Sequence, residues 1–207
     1  MISPNWPRFL EEHVDELESI FNVSLGDLIA CGGVGCVFEA DSNVVLKITE
    51  DRGEAATWEA IYEMQQRGSP LYGFASVIMP PIKIVLPRQI SRKPLYGIVR
   101  EALDDVCYCE IDRHVEIIDA LIKVMHTPIK RFFDRLWEVA ENFPEETDSF
   151  ISSIFYLHEE RQLLVWDLCC HNFGSRSADR RQWIFRDPGA ARGVDKKWDA
   201  TKIVVIE

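Results

Sequence analysis

Three oxygen-bearing side chains toward the end of this 207-residue chain stand where they could grip a hard cation. Asp167 ends the apolar run LLVWD, Asn172 follows five residues later, and Asp187 ends the next apolar run, QWIFRD, ahead of Pro188 and Gly189. Two carboxylates and an amide at strand ends form the all-oxygen ligand type that magnesium selects. Far upstream, Lys47 sits inside VVLKIT. A lysine in a buried strand is costly to desolvate unless an anion or a carboxylate meets it. Glu59, in the helical segment that follows, is the carboxylate expected to do so, with Glu54 and Glu63 as competitors; the bland alternative is an edge strand from which Lys47 snorkels to water. Gly32, Gly33 and Gly35 cluster between two strand-like runs, where a tight turn without Cβ atoms lets backbone N–H groups approach phosphate oxygens. The run CVFEA after the glycines reads as strand and not helix, which excludes a dinucleotide fingerprint, and no Gly-Lys-Ser/Thr follows to make a Walker loop.

The elements that would position these groups can be read from periodicity. PNWPRFLEEHVDELESIF spaces Phe9, Val14, Leu17 and Phe21 as one amphipathic helix over about residues 7–21, packed on one lobe as an extension. Two hairpins follow, around the glycines and around Asp41-Ser42-Asn43. A helix then runs from Gly53 to about Gly68, where Gly68-Ser69-Pro70 stops it. PPIKIVLP and PLYGIVREAL read as strands; HVEIIDALIKVM, IKRFFDRLWEVAENF and DSFISSIFYLHEER read as helices. LLVWD and QWIFRD read as a short hairpin, and a polar tail ends on the strand-like KIVVIE. Strands with one helix followed by helices make an α+β order.

Composition narrows the function. The net charge of −11 argues against binding nucleic acid or an anionic membrane surface, and no apolar run approaches the length of a bilayer span. The six cysteines, Cys31, Cys36, Cys107, Cys109, Cys169 and Cys170, match no disulfide framework and only weakly a zinc site. Free thiols in a reducing cytosol are expected, and with them a soluble, cytoplasmic protein. His158 and His171 are expected to be structural hydrogen-bonders, and Trp58, Trp137, Trp166 and Trp183 to belong to the core.

Taken in order, the motifs resemble those of the protein-kinase-like superfamily. ACGGVGCV is similar to the kinase glycine loop with Ala30 in place of its first glycine, and VVLKIT to the strand that carries the kinase lysine. VWDLCCHNFG resembles the catalytic loop, and RDPG, fifteen residues on, the metal-binding triplet. The resemblance covers about residues 26–190. It implies a bilobal fold, with a five-stranded small lobe plus one helix and a reduced, mainly helical large lobe. The whole would be one domain over 1–207, with an extension at 1–24, the small lobe at 25–102 and the large lobe at 103–207. It implies ATP and Mg²⁺ as cofactors. Gly32, Gly33, Gly35 and Val37 would cover the nucleotide, Lys47 would contact its phosphates while paired with Glu59, and Arg100, Glu101, Ala102 and Leu103 would form the hinge against adenine. Asp167 would accept the proton of the attacking hydroxyl, and Asn172 and Asp187 would hold magnesium.

The departures shape the expected activity. Val165 and Trp166 replace the His and Arg that precede the catalytic aspartate, and Pro188 replaces the aromatic that toggles many kinases. Only eighteen residues follow Gly189, leaving no peptide-seating half of the large lobe. A fixed, constitutively active loop is therefore expected, with phosphoryl transfer to Ser or Thr of a protein, as in shortened bacterial effector or phage kinases; the implied partner is a protein substrate, of a host where the chain is a delivered effector. A pseudokinase acting as a nucleotide-dependent binding module, a small-molecule phosphotransferase of the aminoglycoside-kinase type and an AMP transferase are the alternatives on the same motifs.

Overall fold

Five apolar runs pair into one sheet, and a sixth joins them from the far end of the chain. The computed structural model describes residues 6–32, 34–105, 111–176 and 179–207. Strands β1 (Leu28–Cys31), β2 (Gly35–Glu39), β3 (Val44–Thr49), β4 (Ile82–Val85) and β5 (Leu95–Glu101) lie antiparallel in the order β1-β2-β3-β5-β4. A helix, α3 (Arg52–Gln66), connects β3 toward β4 and lays Trp58, Ile61 and Met64 into the core. Asp51 caps it, accepting from the N–H groups of Gly53 at 2.7 Å and Glu54 at 3.1 Å.

The sheet has a sixth strand that the five-stranded expectation lacked. β9 (Lys202–Val205) pairs parallel with β4, so these residues lie in the small-lobe sheet and not with the large-lobe helices that precede them. The amphipathic extension also differs, since it is two helices, α1 (Trp6–Glu11) and α2 (Val14–Phe21), broken at His13, whose Nδ1 lies 2.7 Å from the carbonyl oxygen of Phe9. Trp6, Leu10, Leu17 and Phe21 are buried against Phe38, Leu46, Ile84 and Leu95 of the sheet. Gly97 makes room for this: a Cβ there would stand 2.0 Å from the Phe21 ring.

The large lobe packs α4 (Ile111–Met125), α5 (Phe132–Asn142) and α6 (Pro144–Arg161) against a small sheet of β6 (Asp104–Asp105), β7 (Phe173–Arg176) and β8 (Asp179–Phe185). This is the α+β, two-lobed order that the motifs implied. The lobes share one apolar cluster, in which Trp58 and Ile61 of α3 join Leu157 of α6 and Phe185 of β8. Leu163, Leu164 and Val165 are buried there too, but the expected strand ending at Asp167 is absent. Its apolar residues are buried by packing and pair only through the single bridge Leu164 to Arg192. No helix among the described residues is long and apolar enough to cross a membrane.

Candidate active site

β3 lies between β2 and β5, and Lys47 stands across from Val37 and Ile98. Its stem is therefore packed on both flanks and its ammonium has one way out, toward the cleft. Lys47 is 6% exposed. Its Nζ donates to Oδ2 of Asp187 at 2.5 Å and lies 2.5 Å from Oε1 of Glu54, an ion-pair contact outside hydrogen-bond angles. The expected Lys47–Glu59 pair is thus corrected to Lys47–Glu54. Only two residues separate β3 from α3, so the first helical turn abuts the lysine, and Glu59, five positions on, is turned roughly 140° around the axis. Glu59 instead accepts a hydrogen bond from the Trp198 indole on the outer side.

Burial pushes the Glu54 carboxyl up to about 7, with the Asp187 charge adding to the rise and Lys47 opposing it. Burial pushes Asp187 the same way, but the charge of Lys47 and hydrogen bonds from Lys47 and Glu54 outweigh it and hold the group below its ordinary value. The two acids facing one lysine are therefore unequal. Asp187 carries the negative charge and Glu54 shares a proton with solution near neutrality.

Asp167 and Asn172 come to the same cleft from an irregular loop and a short helical turn, Cys170–Asn172. Asn172 is buried, and its Nδ2 donates to the Asp167 carbonyl at 3.1 Å. The N–H groups of Arg186 and Asp187 both donate to the Asn172 carbonyl, at 2.9 and 3.2 Å, so the two loops are cross-linked through one residue. Asp167 itself is exposed at the mouth. The Cys169 thiol is raised to about 11, by burial first and then by its hydrogen bond to Asp167, and so stays a protonated donor to that carboxylate. Gly189, at φ +60°, turns the chain beside Asp167, its would-be Cβ 3.7 Å from Asp167 Cβ.

A cavity of about 640 Å³ gathers these groups: Lys47, Glu54, Asp167, Asn172 and Asp187 line it below Gly32 and Gly35 of the glycine turn. Gly35 is required where it stands, because a Cβ would meet the Ile48 carbonyl oxygen at 2.6 Å. A second cavity of about 540 Å³ shares Ala30, Val37, His171 and Asp187 with the first and is closed by Arg100, Ala102 and Leu103. Of the expected hinge residues, Glu101 is absent from its lining. Its carboxylate is held elsewhere by the Arg176 guanidinium at 2.7 and 2.9 Å and by the Ser76 N–H at 3.0 Å. Gly33, Cys107 and Cys109 lie outside the described residues.

Cys31 and Cys36 form a disulfide, which corrects the expectation of free thiols for this pair. They are direct partners across the β1–β2 register, at the mouth of the glycine turn, where adjacent strands bring them together. Cys169 and Cys170 are free. Among the described residues no three His, Cys, Asp or Glu side chains converge as a metal cluster. Asp187 and Asn172 alone fit a cation that keeps water and phosphate oxygens for its other ligands, the manner in which magnesium is ordinarily held.

Asp51 and Arg192 line the cavity outside the sequence expectations, and Glu54 figures there only as a competitor of Glu59. Asp51 carried a legible signal, as a cap just before a helix, but its place on the cavity wall did not. Arg192, whose guanidinium carbon lies 3.9 Å from the centroid of the Trp166 ring, has no sequence signature at all.

No protein-family model matches the chain, and no curated protein matches it. Among solved structures, the GDP and kanamycin complex of APH(2")-IIia is 11% identical, with a TM-score of 0.42, covering 87% of this chain and 73% of that one. The streptomycin–ATP–APH(2")-IIa ternary complex is 13% identical, with a TM-score of 0.38, covering 86% of this chain and 72% of that one. Both are remote likenesses.

Proposed function

We propose that this chain transfers the γ-phosphoryl group of a nucleoside triphosphate to a hydroxyl. One observation carries the proposal: a buried lysine held between two carboxylates at the floor of a cavity that also contains Asp167 and Asn172 and lies under a glycine turn. Lys47 would leave Asp187 for the nucleotide phosphates and keep Glu54 as its support. Asp187 and Asn172 would hold magnesium, which when bound neutralises phosphate charge. Asp167 would orient the acceptor hydroxyl and take its proton, its carboxylate aligned by the Cys169 thiol. Such chemistry is mostly positioning and charge stabilisation, which these residues supply without a covalent nucleophile.

The exposed position of Asp167 favours an acceptor presented on a macromolecule, and we take a protein Ser or Thr as the substrate class. A hydroxyl on a flexible segment reaches the cleft mouth without entering an enclosed pocket. The test is incubation of the purified protein with γ-labelled and, separately, α-labelled ATP and GTP, with magnesium and a cell lysate, using Asp167→Asn as control. Label from the γ position on protein bands is expected. Label confined to small molecules would move the acceptor class, label from the α position would mean nucleotidyl transfer, and a nucleotide-dependent thermal shift without label would mean a binding module.

A further inference from the structure

The back wall of the second cavity carries a charge that phosphoryl transfer does not call for. Arg100, next to last in β5, is 5% exposed, with its guanidinium carbon 5.8 Å from the centroid of the Trp58 ring. Burial lowers its pKa to about 10, against the attraction of Asp187 and Glu54, so it remains a cation at neutral pH. Its Nη1 donates to the Glu101 carbonyl at 3.1 Å, while its Nε is buried with no hydrogen-bond partner. Arg100 lines this cavity, and an acceptor that enters it would offset the cost of burying the guanidinium.

The neighbouring backbone sharpens what that something can be. The N–H groups of Glu101 and Ala102 are already given to the carbonyls of Ser76 and Asn43, each at 2.8 Å. The Glu101 carbonyl already accepts from Arg100. The guanidinium groups of Arg100 and Arg186 in the lining are hydrogen-bond donors. Ile29, Val37, Val45 and Leu103 supply apolar surface suited to the faces of a flat ring. Purines differ at the atom such a wall would meet: a 6-amino group is a donor, and a 6-oxo group is an acceptor. A guanidinium fork matches O6 and N7 of a 6-oxopurine and opposes the amino group of adenine.

We propose that the site selects 6-oxopurine nucleotides over adenine nucleotides and that Arg100 determines this specificity. The inference rests on the nucleotide-binding role proposed above, and it departs from the ATP preference that the motifs implied. A site built to meet an oxygen leaves its buried donors unpaired when the wrong base enters, which is the condition for strong discrimination.

The experiment is calorimetric titration of the wild-type chain with the magnesium complexes of GTP, ITP and ATP, repeated with Arg100→Met and Arg100→Lys. GTP and ITP should bind the wild type on the order of tenfold or more tightly than ATP. Equal behaviour of GTP and ITP would place the selection at the 6-position, since ITP lacks the 2-amino group. Arg100→Met should bring the three affinities within about threefold of one another, mainly by weakening GTP and ITP. Binding of ATP as tight as that of GTP and ITP by the wild type would overturn the Arg100 proposal and leave the nucleotide site standing. So would an unchanged ratio in a folded Arg100→Met protein. Failure of all three nucleotides to bind would overturn both proposals, and the wild-type comparison decides the matter even where a variant fails to fold.

Discussion

Replacing Glu54 with glutamine should flatten part of the pH dependence of stability. Glu54 is 2% exposed, and burial raises its carboxyl from 4.5 to about 7. A carboxyl whose folded pKa lies above its unfolded value holds its proton more tightly when folded. It therefore contributes stability in full below the unfolded value, and that contribution is lost as pH rises through about 7. A tenfold difference in proton affinity between the folded and unfolded chain is worth about 1.4 kcal/mol, so between pH 5 and pH 8 this group should cost the wild type about 2 kcal/mol. Asp187, depressed below its ordinary 3.8, acts in the opposite sense and in a more acidic window, losing its contribution as pH falls. The assay is urea denaturation of wild type and Glu54→Gln at pH 5, 6, 7 and 8, because groups distant from Glu54 cancel in the difference. The stability of the wild type relative to the variant should fall by about 2 kcal/mol across that range, most of it between pH 5 and 7. Parallel curves from two folded proteins would refute the assignment of Glu54 as the buried, proton-sharing partner of Lys47.

Four further outcomes are expected. Lys47→Met preserves the packed stem and removes the charge, so the protein should fold and melt cooperatively while turnover falls about a hundredfold or more; Glu59→Gln should leave turnover within about threefold of wild type, since its carboxylate meets Trp198 outside the cleft. Asp187→Ala should abolish the magnesium-dependent part of nucleotide stabilisation, which for the wild type is about 2.7 kcal/mol at a hundredfold excess over the dissociation constant and is read as a thermal shift. Alkylation in denaturant without reductant should leave Cys31 and Cys36 unmodified and label Cys169 and Cys170, as a mass measurement of the peptides would register.

What could be read in the sequence was what repeats or costs something locally. Lys47 was legible because a charge inside VVLKIT needs a reason, and the reason lies in the cleft. Asp167, Asn172 and Asp187 were legible by spacing, and one cavity holds all three. The choice between Glu54 and Glu59 was not, because it depends on how many residues the chain spends between β3 and α3. A helix starting at Arg52 puts Glu54 in its first turn, beside the lysine, and a start one or two residues later would have rotated a different side chain into the cleft. KIVV of β9 was visible as a strand, but its partner was not. Pairing with β4 depends on the path of residues 186–201, along which Ala191 N–H donates to Thr57 Oγ1 at 2.9 Å, the Lys196 carbonyl accepts from Arg52, and Trp198 meets Glu59. The contacts of Arg52 and Glu59 fasten the outer face of α3, while Lys47 and Ala191 hold Glu54 and Thr57 on its inner face. The helix that carries Glu54 is thus gripped from both sides. That grip is what a constitutively active site, proposed from the Trp166 departure, would need. It lies in long-range contacts that neither periodicity nor motif spacing records.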